Sequence, residues 1–131
     1  MIAVRRRLRD SRGFTLVELL VAIAIISILA LIALQLFESL AARSRITRAE
    51  SDAKTLATAV TVYESHMGTF PASLSLLTLP AVNTLGQSAG PFLETVPQPP
   101  GAGWSAFTLT ANTNGTFTIT ASGDGVTITK P

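Results

Sequence analysis

The chain has 131 residues, 47% of them hydrophobic, with ten Lys or Arg, eight Asp or Glu and no Cys. The lack of thiols excludes disulfides, thiol catalysis and thiolate metal sites. The basic excess does not point to nucleic acid. Arg5, Arg6, Arg7, Arg9 and Arg12, with Asp10, give a local net of +4 up to Gly13, and the rest of the chain nets −2. No basic patch is interleaved with aromatics.

Residues 1–13 read as a short basic leader. From Phe14 to Phe37 the chain is almost wholly apolar, with Ser27 and Gln35 as the polar interruptions after Glu18. As a helix this stretch spans about 36 Å, enough for a bilayer core of ~30 Å. The Arg cluster beside it predicts that this end stays cytoplasmic. A carboxylate inside such a span costs roughly 2.5–3.5 kcal/mol, which marks Glu18 as a functional position. The structural alternative is a Glu near the interface that snorkels to water.

Two plainer accounts of this stretch explain less. A secretory signal cleaved at Ser39-Leu40-Ala41 would have an apolar region of ~7–15 residues, shorter than this one. A plain N-terminal anchor accounts for the Arg cluster and the span, but for neither Gly13 nor Glu18.

After Glu38 the composition turns polar, but the helical period continues. Ile46, Ala49, Ala53, Leu56, Val60, Tyr63 and Met67 are spaced alternately by three and four, one apolar stripe on one helix face. Arg45, Arg48, Glu50, Asp52, Lys54 and Glu64 mostly lie off it. No Pro or Gly intervenes before Gly68. The spacing predicts one helix of about 54 residues, roughly 80 Å long, comprising a spanning half (14–37) and an amphipathic half (38–67). Gly68 is its expected stop, with Pro71 beyond. The single histidine, His66, lies off the stripe at the helix end and reads as solvated.

Residues 68–104 are loop-rich, with Pro at 71, 80, 91, 97, 99 and 100. A short helical turn is expected at 74–77, a short edge strand or turn at 90–93, and a stiff exposed corner at 97–101. Trp104 is expected to cover the edge of the core. Residues 105–131 carry the clearest strand pattern. Phe107, Leu109 and Ala111 alternate with Thr, as do Phe117, Ile119 and Ala121 across an Asn114-Gly115 hairpin turn. A second turn, Ser122-Gly123-Asp124-Gly125, leads to Val126 and Ile128. The expected fold class is α+β: a long N-terminal helix on a three-stranded antiparallel β-meander, with a field of Thr hydroxyls on the outer face.

The run Gly13-Phe14-Thr15-Leu16-Val17-Glu18-Leu19-Leu20 closely resembles the junction of type IV prepilins and type II secretion pseudopilins. The resemblance implies cleavage after Gly13 by a membrane-embedded prepilin peptidase, N-methylation of Phe14, and a role for Glu18 in assembly. It implies a pilin fold and a bacterial inner-membrane precursor, N-terminus in the cytoplasm and C-terminal domain outside. The implied partners are further copies of the chain, minor pilins or pseudopilins, an assembly platform with its ATPase, and lipid before assembly. Direct contact with nucleic acid is not implied.

The physical chemistry is consistent. Cleavage frees an amine at Phe14 one helical turn from Glu18. Pairing the two, within a subunit or with the next, offsets the cost of a charge in apolar surroundings, and the second option also fixes axial register. Many family members have Gly and Pro where this chain has Ser27 and Gln35. Neither Ser nor Gln breaks a helix, so the helix is expected to be more continuous than in typical pilins.

Tyr63–Pro71, Gly90-Pro91-Phe92-Leu93, Val96-Pro97 and Gly123-Asp124-Gly125 are similar to landmarks of the major-pseudopilin branch, and the absence of Cys fits that branch. That branch usually binds calcium in its C-terminal loops. Here Asp124 is the one obvious carboxylate left, calcium needs about 6–8 oxygens, and Asp124 reads more simply as a turn former. The expected function is therefore a structural filament subunit of a type II secretion system. The alternatives are a type IV pilus subunit for adhesion, motility or DNA uptake, and an anchored domain that never polymerises. An enzyme is not expected: no GxSxG, HExxH, phosphate loop or paired carboxylates on one element are present.

Overall fold

The computed structural model describes residues 13–131; of the leader expected over 1–13, all but Gly13 lies outside the described residues. The first element is the helix α1, Leu16–Met67, 52 residues long. It starts two residues later than the apolar run. Thr15 is the N-cap, its carbonyl accepting the first intrahelical bond from the Leu19 N–H at 3.2 Å. A Thr three residues before a Glu is a capping-box sequence, and that local chemistry sets the start. The helix is unbroken at Ser27 and Gln35. The Ser27 hydroxyl donates to the Ile23 carbonyl one turn back, at 2.7 Å, so it interrupts nothing. The helix ends where expected: Gly68 takes φ +75° and its N–H donates to the Glu64 carbonyl at 2.7 Å, a left-handed stop open to glycine at little cost.

The chain divides into two compact units after Glu38. In the first, every side chain from Phe14 to Glu38 is exposed, and the segment is long and apolar enough to cross a membrane. The second unit, Ser39–Pro131, holds the core. Its helical contribution is Ala49, Ala53, Leu56, Ala59, Val60 and Tyr63, the expected stripe with Ala59 added and with Ile46 and Met67 only partly covered.

A 3-10 helix at Leu74–Thr78 follows and buries Leu74 and Leu77. Two short strands not anticipated from the sequence come next, β1 (Ala81–Val82) and β2 (Ser88–Ala89), paired antiparallel. Two-residue strands carry too little alternation to be read from sequence. No strand forms at 90–93; instead the Phe92 and Leu93 N–H groups both donate to the Leu77 carbonyl, at 2.8 and 3.0 Å.

The C-terminal sheet is the expected meander: β3 (Thr108–Ala111), β4 (Phe117–Gly123) and β5 (Val126–Lys130), in that order and antiparallel. Leu109 pairs with Ile119, and Ala121 with Ile128. Phe117, Ile119, Ala121 and Ile128 are buried, as are Phe107 and Trp104. Ala111 and Val126, assigned inward by alternation, are exposed, because each sits at a strand end beside a turn. The first turn is also wider than two residues. Asn114 keeps a negative φ and only Gly115 is left-handed, at φ +78°. The Gly115 N–H donates to the Asn112 carbonyl and the Asn112 N–H to the Thr116 carbonyl. This is a three-residue loop closed by a left-handed glycine.

Leu56 has no exposed surface and lies at the centre of the helical stripe. Leu56→Ala is expected to lower unfolding free energy by about 2–5 kcal/mol, from lost transfer energy and the cavity left behind. Urea denaturation of the full chain in detergent micelles checks this. A change under about 1 kcal/mol would mean that the site collapses freely.

Candidate functional site

Three of the residues singled out by the sequence lie at the start of α1. Gly13 and Phe14 precede the helix and have no regular secondary structure, so the bond between them is outside the α-helical ladder. A Cβ at Gly13 would meet nothing within 4 Å, and Phe14 is 91% exposed. Glu18 stands at the third helical position and turns back toward the helix start. Its Oε2 accepts the Thr15 backbone N–H and the Thr15 hydroxyl, each at 2.9 Å. The Thr15 hydroxyl oxygen in turn accepts the Glu18 N–H at 3.2 Å. The reciprocal box satisfies backbone donors that a helix start leaves open. It also places a negative side chain at the positive end of the helix. The carboxylate is thereby held at the residue next to Phe14, whose amine a cut after Gly13 would free.

Asp124, the weak calcium candidate, belongs to the second unit and is otherwise engaged. Arg45 grips it with two bonds, Nε to Oδ2 at 2.7 Å and Nη2 to Oδ1 at 2.8 Å. The Trp104 Nε1–H donates to Oδ2 at 2.9 Å. Both carboxylate oxygens are therefore occupied, and a guanidinium stands where a metal would have to approach. Among the described residues, no three of His, Asp and Glu gather to hold a metal ion. Asp124 is also the turn former expected, at φ +50°. The Arg45 guanidinium, and then Trp104, hold its carboxyl well below the ordinary 3.8, at about 2. The paired carboxylate raises Arg45 in return.

This cluster ties the middle of α1 to the β4–β5 turn and to the loop before β3. The fit is close. A Cβ at Gly123 would collide with the Trp104 ring, and one at Gly101 would lie 3.0 Å from Arg45 Cδ. Sequence reasoning missed the cluster because Arg45 lies beside the stripe, among residues that read as solvated. The one available signal was Trp104, whose indole N–H needs a partner when buried.

His66 is likewise not merely solvated. Its Nε2 bonds the Gln87 carbonyl at 3.1 Å, and its ring lies 6.1 Å from that of Phe92. Phe92 also packs edge-on against Tyr63, at 5.3 Å. The histidine thus fastens the β1–β2 hairpin to the end of α1.

Comparison with known proteins points to the start of α1. Residues 8–34 match the prokaryotic N-terminal methylation motif. A fimbrial protein of Pseudomonas aeruginosa is 44% identical over 52 residues, 40% of this chain and 34% of that one. The fimbrial protein EcpC of Eikenella corrodens is 46% identical over 61 residues, 47% of this chain and 40% of that one. A fimbrial protein of Neisseria meningitidis serogroup B is 34% identical over 85 residues, 65% of this chain and 48% of that one. The chain thus spans a third to a half of the length of these curated relatives. No solved structure gives a significant match. The chain is thus similar to type IV pilin-like proteins in three respects: the methylation motif at its head, its partial identity to fimbrial proteins, and one long helix leading to a small antiparallel sheet.

Proposed function

We propose that the chain is a structural filament subunit, cut after Gly13 by a prepilin peptidase, N-methylated at Phe14 and polymerised through the apolar half of α1. The observation that carries this reading is the capping box. Glu18 is held at the future N-terminus, on a helix whose first 20-odd residues are exposed and apolar. In the membrane the box offsets part of the cost of burying the carboxylate. In a filament the carboxylate would instead take the free amine of a neighbouring subunit, a pairing that only one axial offset satisfies. The spanning segments then exchange lipid for one another, and the Ser39–Pro131 units face outward. The precursor is an inner-membrane protein with its N-terminus in the cytoplasm. An assembly platform with its ATPase extracts it, and minor subunits join the same filament. The role requires no catalytic group.

The finer assignment is to a type II secretion pseudopilus, supported by the cysteine-free chain and the landmark runs at 63–71 and 90–93. The fimbrial names of the matched relatives support the second reading, a type IV pilus subunit. Deleting the gene in the native host separates them. Loss of secreted enzymes with surface pili intact supports the pseudopilus; loss of pili with secretion intact supports the pilus. Unchanged secretion and unchanged pili would contradict both.

The unbroken α1 makes a further expectation. Cryo-electron microscopy of filaments should show continuous helix from Ser27 to Gln35. A melted segment there would mean that assembly overrides the local propensity.

A further inference from the structure

We propose that Asn114, at the tip of the β3–β4 hairpin, is a site of spontaneous backbone-assisted deamidation. The Asn114-Gly115 pair is exposed. Gly115 has no side chain to shield its backbone nitrogen, and its N–H bond to the Asn112 carbonyl is long, at 3.3 Å. The Asn114 side-chain carbonyl is activated from the other side. Its Oδ1 accepts the Thr116 N–H at 3.2 Å and the Thr116 hydroxyl at 2.7 Å. The Asn112 amide donates to that same hydroxyl oxygen at 2.9 Å, which holds the hydroxyl proton on Asn114. Two donors on one carbonyl oxygen polarise Cγ and stabilise the negative oxygen that forms when a nucleophile adds to it.

The nucleophile is the Gly115 backbone nitrogen. It forms a bond to Asn114 Cγ and gives up its proton. The Cγ–Nδ2 bond breaks, and the side-chain nitrogen leaves as ammonia. Water then opens the five-membered imide at either carbonyl, leaving an aspartyl or an isoaspartyl residue. No oxidant or further reactant is needed. The product carries a new negative charge on an otherwise uncharged loop, residues 112–116. The isoaspartyl form also adds a carbon to the backbone, which breaks the three-residue register. The exposed β3–β4 turn therefore ages, in a protein proposed to persist in a filament.

The chain supplies its own controls. Asn83 and Asn112 are each followed by Thr, whose branched side chain crowds the attacking nitrogen. The test incubates the full chain in detergent micelles at neutral to mildly alkaline pH and follows each Asn peptide by mass, with isoaspartyl detection by methyltransferase labelling. The Asn114 peptide should gain about 1 Da with isoaspartyl label, while the Asn83 and Asn112 peptides stay intact. Thr116→Val, which keeps the shape and removes the hydroxyl, should slow the gain by about 2- to 10-fold, the worth of one exposed hydrogen bond. Asn114 lasting as long as Asn83 and Asn112 would overturn the site. An equal or faster rate in Thr116→Val would overturn the activation by Thr116.

Discussion

Replacing Glu18 with Leu should abolish filaments while leaving the subunit in the membrane at undiminished levels. Two effects oppose each other in the monomer. The capping box is lost, costing about 0.5–2 kcal/mol at the helix start. The insertion penalty of the carboxylate, roughly 2.5–3.5 kcal/mol, is lost as well. Removing the penalty outweighs losing the cap, so anchoring should not suffer. Assembly should suffer, because the neighbour's amine would then be buried without a partner, and breaking a buried pair costs about 3–5 kcal/mol. Per subunit, that exceeds two powers of ten in an equilibrium constant.

Glu18→Gln separates the two roles of this side chain. Gln at this position also serves a capping box but carries no charge. If the cap were all that mattered, the Gln variant would assemble normally. Charge pairing predicts that it fails nearly as completely as Leu. Sedimentable filaments, counted against membrane-bound subunit by immunoblot, decide the matter.

The second large effect is expected at Gly123. Its Cβ position is filled by the Trp104 ring, and Trp104 is itself buried and bonded to Asp124. Gly123→Val must push the indole out of the core edge or tear the β4–β5 turn from α1. Overpacking alone costs about 1–3 kcal/mol, and displacing the indole adds the loss of its burial. Thermal unfolding of the full chain in micelles should show a large drop in Tm. Gly125→Ala is the fitting control, since a Cβ there meets nothing within 4 Å. That variant tests only the strain of φ +75°. A Gly123→Val chain as stable as the Gly125→Ala chain would mean that Trp104 is not pinned.

The Arg45–Asp124 pair adds a pH dependence of known sign. The carboxyl is depressed from 3.8 to about 2 in the folded chain. The stability it contributes is therefore fully present above pH 3.8 and is lost as pH falls from there toward about 2. The wild-type chain should lose stability across that window relative to Asp124→Asn, and the two should run parallel above it. Curves that stay parallel through acid would mean that the ion pair is not formed in solution.

Much of this protein was legible in its sequence because its two strongest patterns are long. The three-four spacing from Ile46 to Met67 placed the core-facing side of α1, and Leu56, Val60 and Tyr63 are buried on it. The Thr alternation placed all three strands of the meander. What was not legible depends on contacts between distant residues. Arg45 and Asp124 are 79 positions apart, and nothing in either neighbourhood names the other. The β1–β2 hairpin is too short for periodicity, and His66 reads as solvated until Gln87 is seen beside it. The start of α1 lies between these cases. Thr15 and Glu18 spell a capping box, but the apolar run that hides them invites a helix from Phe14.

The most direct test of the filament-subunit reading is the N-terminal mass of the protein isolated from its native cells. The account predicts a chain that begins at Phe14 and carries one methyl group on its α-amine. A chain that retains Gly13 and the Arg-rich leader would contradict it, leaving Glu18 a helix cap with no amine to pair.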